Sequence, residues 1–214
     1  MRILSVDTCL AASSVAVIED GRTLAARSEP MTRGHQERIA PLAREVAAEA
    51  GIAFADLDRI AVTVGPGSFT GLRVGLSFAK GLAEALSIPC VGVNSLEALA
   101  ASSGAEGFVA AALDAKMGQV YLQVFDGGTA LMAPDALDIG SATARLAELY
   151  SGGPATIVGT GAALLDGVLP EAAGLDVAFA DPVAIACLAA VRPAPTHSPR
   201  PLYLRAPYAT MPAA

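Results

Sequence analysis

The 214-residue sequence predicts an α/β fold made of two related lobes, each with the element order βββαβα. Three observations lead there. A strand-like run ends on an acidic residue twice, at Ile3-Leu4-Ser5-Val6-Asp7 and at Phe108 to Leu113 followed by Asp114. Each run leads through an alternating segment to a glycine turn, and the turn glycine lies 14 positions past the aspartate both times, at Gly21 and at Gly128. Helix-period and strand-period segments then follow in the same order in both halves. The predicted division is residues 1–104, residues 105–192 and a proline-rich tail, 193–214.

In the first lobe, Ile3 to Thr8 reads as a strand, Ser13 to Glu19 as a second, and Arg22 to Arg27 as a third after the Asp20-Gly21 turn. Ile39, Leu42, Ala43, Val46, Ala47 and Ala50 then recur at helical spacing, and Gly51 closes the stripe. Pro41 inside that stripe predicts a late start or a kink. A strand at Arg59–Val64, a helix at Thr70–Leu86, a strand at Cys90–Val93 and a helix at Ser95–Ser103 complete the lobe. The second lobe repeats with strands at Phe108–Leu113, Gln119–Phe125 and Ala130–Met132. A helix at Ala142–Tyr150, a strand at Ala155–Val158 and helices near Ala162–Leu169 and Pro182–Val191 follow. In the tail, Pro201 to Arg205 is short and apolar enough to pack back as a strand.

Composition narrows the function. Hydrophobic residues make up 53% and charged residues 16%, which excludes global disorder. Mean hydropathy is +0.51, yet glycine, proline and polar residues interrupt every charge-free run before the roughly 20 residues of a membrane span. No signal-peptide pattern opens the chain, and Cys9, Cys90 and Cys187 are odd in number and far apart. A cytoplasmic protein without disulfides or a zinc site is expected. The net charge of −7 and the scattered basic residues argue against unaided binding to a phosphate backbone. With His35 and His197 as the two histidines, no metal-binding pair or Ser–His–Asp set is arguable from spacing.

An acidic strand end followed by a hairpin occurs twice, and this resembles the actin-like (ASKHA, ribonuclease H-like) superfamily of actin, sugar kinases and Hsp70. There, Asp7, Thr8, Ser13 and Ser14 occupy the place that cradles phosphate or magnesium. In the second lobe, Asp114-Ala115-Lys116-Met117-Gly118 puts side chains where a phosphate needs close backbone approach. Asp7, Thr8, Asp114 and Lys116 therefore read as a vestigial phosphate site. The plainer alternative is that the two aspartates hold turns by accepting backbone hydrogen bonds.

Gly65-Pro66-Gly67-Ser68-Phe69-Thr70-Gly71-Leu72-Arg73-Val74-Gly75 is the most unusual segment. It lacks the Lys-Ser/Thr ending of a P-loop, and Ser68 or Thr70 is placed to cap the helix that follows. In that helix Arg73, Ser77, Lys80 and Glu84 share one stripe; the rest is apolar or small, with Gly71, Gly75, Ala79 and Ala83 four apart. Such a helix is covered on two sides, by the sheet and by either the Ile39–Ala50 helix or a partner chain.

These residues resemble the TsaB (YeaZ) family. The resemblance rests on Ile3 to Thr8 with Ser13 to Ala16, on Gly65 to Gly75, and on Gly92 to Leu96. Leu113 to Tyr121 and the closing Pro201-Leu202-Tyr203-Leu204-Arg205 complete it. It implies a non-catalytic scaffold subunit that acts with the catalytic paralogue TsaD, and with the ATPase TsaE, in threonylcarbamoyl transfer to adenosine 37 of tRNAs reading ANN codons. It further implies no catalytic residue or metal in this chain, ATP or ADP only at the complex interface, tRNA contact only through the complex, and a helical interface used for TsaD or for a homodimer. The interface expected on the two long helices comprises Ile39, Leu42, Val46, Leu72, Gly75, Leu76, Ala79 and Leu82. A small-molecule kinase or ATPase using Asp7 and Asp114 is the alternative, and a peptidase is a third reading without a nucleophile–base set.

Overall fold

The computed structural model describes residues 1–205, so the end of the expected tail, 206–214, lies outside the described residues. Strands β1 (Arg2–Asp7), β2 (Ala12–Glu19) and β3 (Arg22–Pro30) form an antiparallel meander. Strands β4 (Arg59–Thr63) and β5 (Cys90–Val93) add in parallel beyond β1, giving the order β3-β2-β1-β4-β5. In the second sheet β6 (Phe108–Lys116), β7 (Gln119–Asp126) and β8 (Thr129–Ala130) repeat the meander. β9 (Asp135–Asp138) also pairs with β7, and β10 (Ala155–Val158) and β11 (Ala173–Leu175) add in parallel beyond β6. The order β11-β10-β6-β7-β8 is that of the first sheet, strand for strand and direction for direction. The duplicated actin-like plan is thus present at the level of hydrogen bonding.

Five helices complete the described residues: α1 (His35–Glu49), α2 (Phe69–Leu86), α3 (Ser95–Ser102), α4 (Ile139–Leu149) and α5 (Pro182–Ala190). α1 and α2 cover the outer face of the first sheet in one core with Leu4, Val6, Val15 and Val17. α4 covers the second sheet in another, with Val120, Leu122 and Val124. α3 and α5 lie between the sheets in a third. There the connection crosses over, since α3 packs on β6 and β7 while α5 packs on β1 and β2. Strands β1 and β2 are buried on both faces, which is why their sequences are nearly continuous apolar runs. Among the described residues, no helix is long and apolar enough to cross a membrane.

Several local expectations are corrected. α1 neither starts late nor breaks at Pro41; Gly34, at φ +88°, turns the chain into a helix at once, and the carbonyl that Pro41 cannot serve belongs to the exposed Glu37. The helix expected near Ala162–Leu169 is a single 3-10 turn, Ala162–Leu165, ended by Gly167 at φ +71°. Residues 201–205 pack back without forming a strand: their one ladder-like backbone bond among the described residues runs from the Leu202 N–H to the Val64 carbonyl at 2.8 Å.

Candidate functional site

A cleft between the lobes is lined by Pro66, Gly67 and Phe69 on one side and Ala115 and Tyr121 on the other, and Asp7, the last residue of β1, lies beneath its first-lobe side. Asp7 is fully buried. One carboxyl oxygen accepts from the Cys9 N–H at 2.8 Å and from the Thr63 hydroxyl at 2.5 Å; the other has no hydrogen-bond partner. Burial pushes its pKa above the ordinary carboxylate range, and the Thr63 and Cys9 bonds pull against that. The folded state therefore holds this proton more tightly than the unfolded chain. Its contribution to stability is complete below about pH 3.9 and is lost as pH rises through the raised folded value. Asp7→Asn keeps an oxygen for both bonds and removes the ionisation. We expect thermal melts of Asp7→Asn to vary less with pH between acid and neutral than those of the native chain, with no loss of melting temperature at pH 7. A drop at pH 7 as large as that of Asp7→Ala would show that the folded state uses a charged carboxylate.

The neighbouring residues are committed to the chain's own structure. The Thr8 hydroxyl donates to the Gly71 carbonyl at 2.6 Å, and the Ser68 N–H donates to the Cys9 carbonyl at 2.8 Å. Ser68 is the N-cap of α2, accepting from the Gly71 N–H at 3.2 Å. A Cβ on Gly67 would lie 2.4 Å from the Cys9 oxygen, and one on Gly71 would lie 2.0 Å from the Thr8 oxygen. The glycine-rich segment thus lets a loop and a helix start press against the backbone of Thr8 and Cys9. Ser13 bonds the Nδ1 of His35 at 2.9 Å, which fixes the first residue of α1. Burial pushes the Cys9 thiol well above its usual range, so it stays protonated and is a poor nucleophile.

In the second lobe, Asp114 sits where β6 turns into β7. Its carboxylate accepts from the Lys116 ammonium at 2.6 Å and from the Lys116 N–H at 2.7 Å, and Lys116 holds it below the usual aspartate range. Lys116 and Met117 are both left-handed, at φ +64° and +57°, in a tight hairpin whose Met117 side chain is 74% exposed. Both aspartates thus hold turns, the plainer of the two sequence readings.

The expected interface residues are placed differently from expectation. Ile39, Leu42, Val46, Leu72, Gly75, Leu76 and Ala79 all point into the core under the first sheet; Leu82 alone of the eight is half-buried. Of the small-residue row that suggested helix-to-helix approach, Gly71 and Gly75 face Thr8, where a Cβ on Gly75 would meet the hydroxyl at 2.6 Å, and Ala79 and Ala83 lie in the core. The physical reason is that α2 must come close to the end of β1. Its half-buried apolar positions are Val74, Phe78, Leu82 and Leu86, which pack at the margin of that core; the first three lie beside the exposed Arg73, Ser77 and Lys80.

Sequence reasoning missed Thr63, the one hydroxyl residue in the run Arg59–Val64, and that oddity was its signal. It also missed what the tail does. Leu202, Tyr203, Leu204 and Arg205 form one wall of a cavity of about 410 Å³, and Pro66, Gly67, Phe69 and Ala115 line the rest with Leu72 and Tyr121.

The family model described as TsaD, tRNA N6-adenosine threonylcarbamoyltransferase, matches residues 28–184. The tRNA threonylcarbamoyladenosine biosynthesis protein TsaB of Escherichia coli (strain K12) is 40% identical over 124 residues, 56% of this chain and 53% of that protein. A solved structure described as an uncharacterized protein with similarity to peptidase YEAZ from Pseudomonas aeruginosa is similar at a TM-score of 0.84 and 30% identity, over 95% of this chain and 99% of that one. Another, YeaZ from Pseudomonas aeruginosa, gives a TM-score of 0.81 at the same identity and coverage. The chain spans about half the length of the curated relatives it matches.

Proposed function

The chain belongs to the TsaB (YeaZ) family, and from that premise we propose that it serves the synthesis of threonylcarbamoyladenosine in tRNA as a cytoplasmic subunit without a catalytic site of its own. The observation that carries this reading is the filled first-lobe site. Thr8 and Cys9 are engaged by Gly71 and Ser68, and Gly67 and Gly71 approach so closely that an added Cβ would meet the Cys9 and Thr8 carbonyls, which supports a site closed by the chain's own backbone. The chemistry then belongs to a TsaD-type transferase, with a TsaE-type ATPase joining during the cycle. ATP or ADP is held with those partners, and tRNA is held by the complex. A net charge of −7 opposes tRNA binding by the chain alone.

The partner surface is proposed on the outward side of α2, around Val74, Phe78 and Leu82, and it suits either the transferase or a second copy of the chain. Co-purification with a TsaD-type protein tests it. Val74→Glu and Phe78→Glu, both at half-buried positions, are expected to weaken pairing at least about tenfold, since a charge in a desolvated contact costs several kcal/mol. Unchanged pairing in both variants, by light scattering with and without the transferase, would remove this surface from the proposal. ATP turnover by the isolated chain that disappears in Asp7→Ala would replace the scaffold reading with a kinase or ATPase.

A further inference from the structure

The tail does more than follow the last helix. After α5 ends, residues 195–198 lie against the C-terminal end of α2 and the start of β5, the edge strand of the first sheet. Pro199 then reaches Gly92, where an added Cβ would meet the proline Cβ at 3.0 Å. Leu202 donates to Val64, and its carbonyl lies 3.0 Å from where a Cβ on Gly65 would be. Tyr203 stacks on Phe69 with ring centroids 5.5 Å apart, and its hydroxyl accepts from Arg73 at 3.1 Å. Arg73 also lies over the Phe69 ring, 3.9 Å from its centre. Arg205 then crosses the cleft and donates to the Ala115 carbonyl at 2.8 Å, on the second-lobe hairpin.

Two first-lobe glycines therefore leave room for the tail, which Leu202 and Tyr203 hold to the first lobe and Arg205 to the second. Behind the cleft the lobes are joined by the buried layer of α3 and α5. At its mouth the tail spans the gap from the first-lobe loop to the hairpin tip. Prolines at 193, 195, 199 and 201 stiffen the approach and lower the entropy lost on docking.

We propose that residues 199–205 are a latch that ties the Gly65–Gly75 loop to the Asp114–Gly118 hairpin and sets the width of the cleft mouth, so that undocking the latch opens the mouth without unfolding either lobe. This inference is independent of the assembly reading. The latch is held by exposed or half-exposed contacts, which puts it at the low-stability end of the molecule. The central layer is not.

Hydrogen exchange by mass spectrometry on the full chain tests it. Arg205→Ala removes the grip on the hairpin, and Leu202→Pro removes the N–H donated to Val64. Each is expected to speed exchange about tenfold in peptides covering 64–75 and 112–121, with α3, α5 and the other strands at native rates. Tyr203→Phe, which removes only the hydroxyl that Arg73 bonds, is expected to have a smaller effect in the same peptides. Faster exchange confined to 199–205 would overturn the proposal, because the tail would then be a passenger. Faster exchange throughout the molecule would overturn it too, because the tail would then be part of the core. A binding assay with the transferase separates this result from the assembly reading: faster exchange in both loops supports the latch whether or not pairing survives, and native exchange in both loops overturns the latch whatever the pairing does.

Discussion

Gly71→Ala is expected to cost the chain its cooperative fold, while Gly81→Ala, ten residues along the same helix, raises its melting temperature. A Cβ on Gly71 would lie 2.0 Å from the Thr8 carbonyl oxygen, a backbone atom at the end of a strand buried on both faces. No rotamer change relieves that contact, so the start of α2 must move away. Moving it forfeits the Thr8–Gly71 and Ser68–Cys9 bonds and unseats Leu72 and Leu76 from the core. A cost above about 4 kcal/mol is expected, a large part of the whole stability of such a chain. Gly75→Ala should cost less, because the atom it meets is the Thr8 hydroxyl, which can rotate away at the loss of one hydrogen bond. At Gly81 an added Cβ meets nothing within 4 Å, so alanine contributes its helix preference of about 0.5–1 kcal/mol. Thermal melts and urea midpoints of the three variants decide this. A Gly71→Ala protein that melts within about 2 °C of the native chain, less than 1 kcal/mol for a domain this size, would mean that the helix start is not seated as described.

The duplication was legible because it is written in local signals: an acidic strand end, an alternating strand and a glycine turn at equal spacing, which the two sheets repeat as one strand order. β9 and β11 were not legible, since Asp135-Ala136-Leu137-Asp138 and Ala173-Gly174-Leu175 are short, largely exposed and poor in β-branched residues. They become strands through their neighbours, β7 and β10. The same division holds at the site. That Asp7 ends a strand is a local fact, whereas its bond to Thr63 joins residues 56 apart and depends on β4 lying beside β1. For α2 the periodicity showed a helix apolar over most of its circumference but not which side met the sheet. What decides it is Thr8, whose carbonyl allows only glycine at position 71 and whose hydroxyl crowds position 75, and this turns Leu72, Leu76 and Ala79 inward with them. The tail was the least legible part, because its contacts at Gly65, Gly92 and Ala115 come from three separated segments.

Val46→Glu and Leu76→Glu are accordingly expected to unfold the chain, where an interface position would have left a folded monomer without its partner. Val46 has no exposed surface and lies in one core with Leu4, Val15, Val17 and Ile39. The acid groups of α1, Glu37, Glu45 and Glu49, are on its other faces, and Glu45 and Glu49 pair there with Arg27 and Arg38. None of those cations can follow a carboxylate into the core. A buried glutamate at 46 therefore stays unpaired or takes up a proton, and either route costs several kcal/mol. Leu76 is 6% exposed, so a glutamate there has a slightly easier path to water and a somewhat smaller penalty. Phe78→Glu, on the same helix but half-buried, provides the contrast: its charge reaches solvent, and the melt should stay within a few degrees of native. Far-ultraviolet circular dichroism through a thermal ramp reads all three. Val46→Glu and Leu76→Glu should show little or no cooperative transition at 25 °C and above, while Phe78→Glu melts sharply. The reverse order, with Val46→Glu native-like and Phe78→Glu unfolded, would mean that α1 and α2 turn their other faces to the sheet, and the seven inward residues would return to the surface as interface candidates.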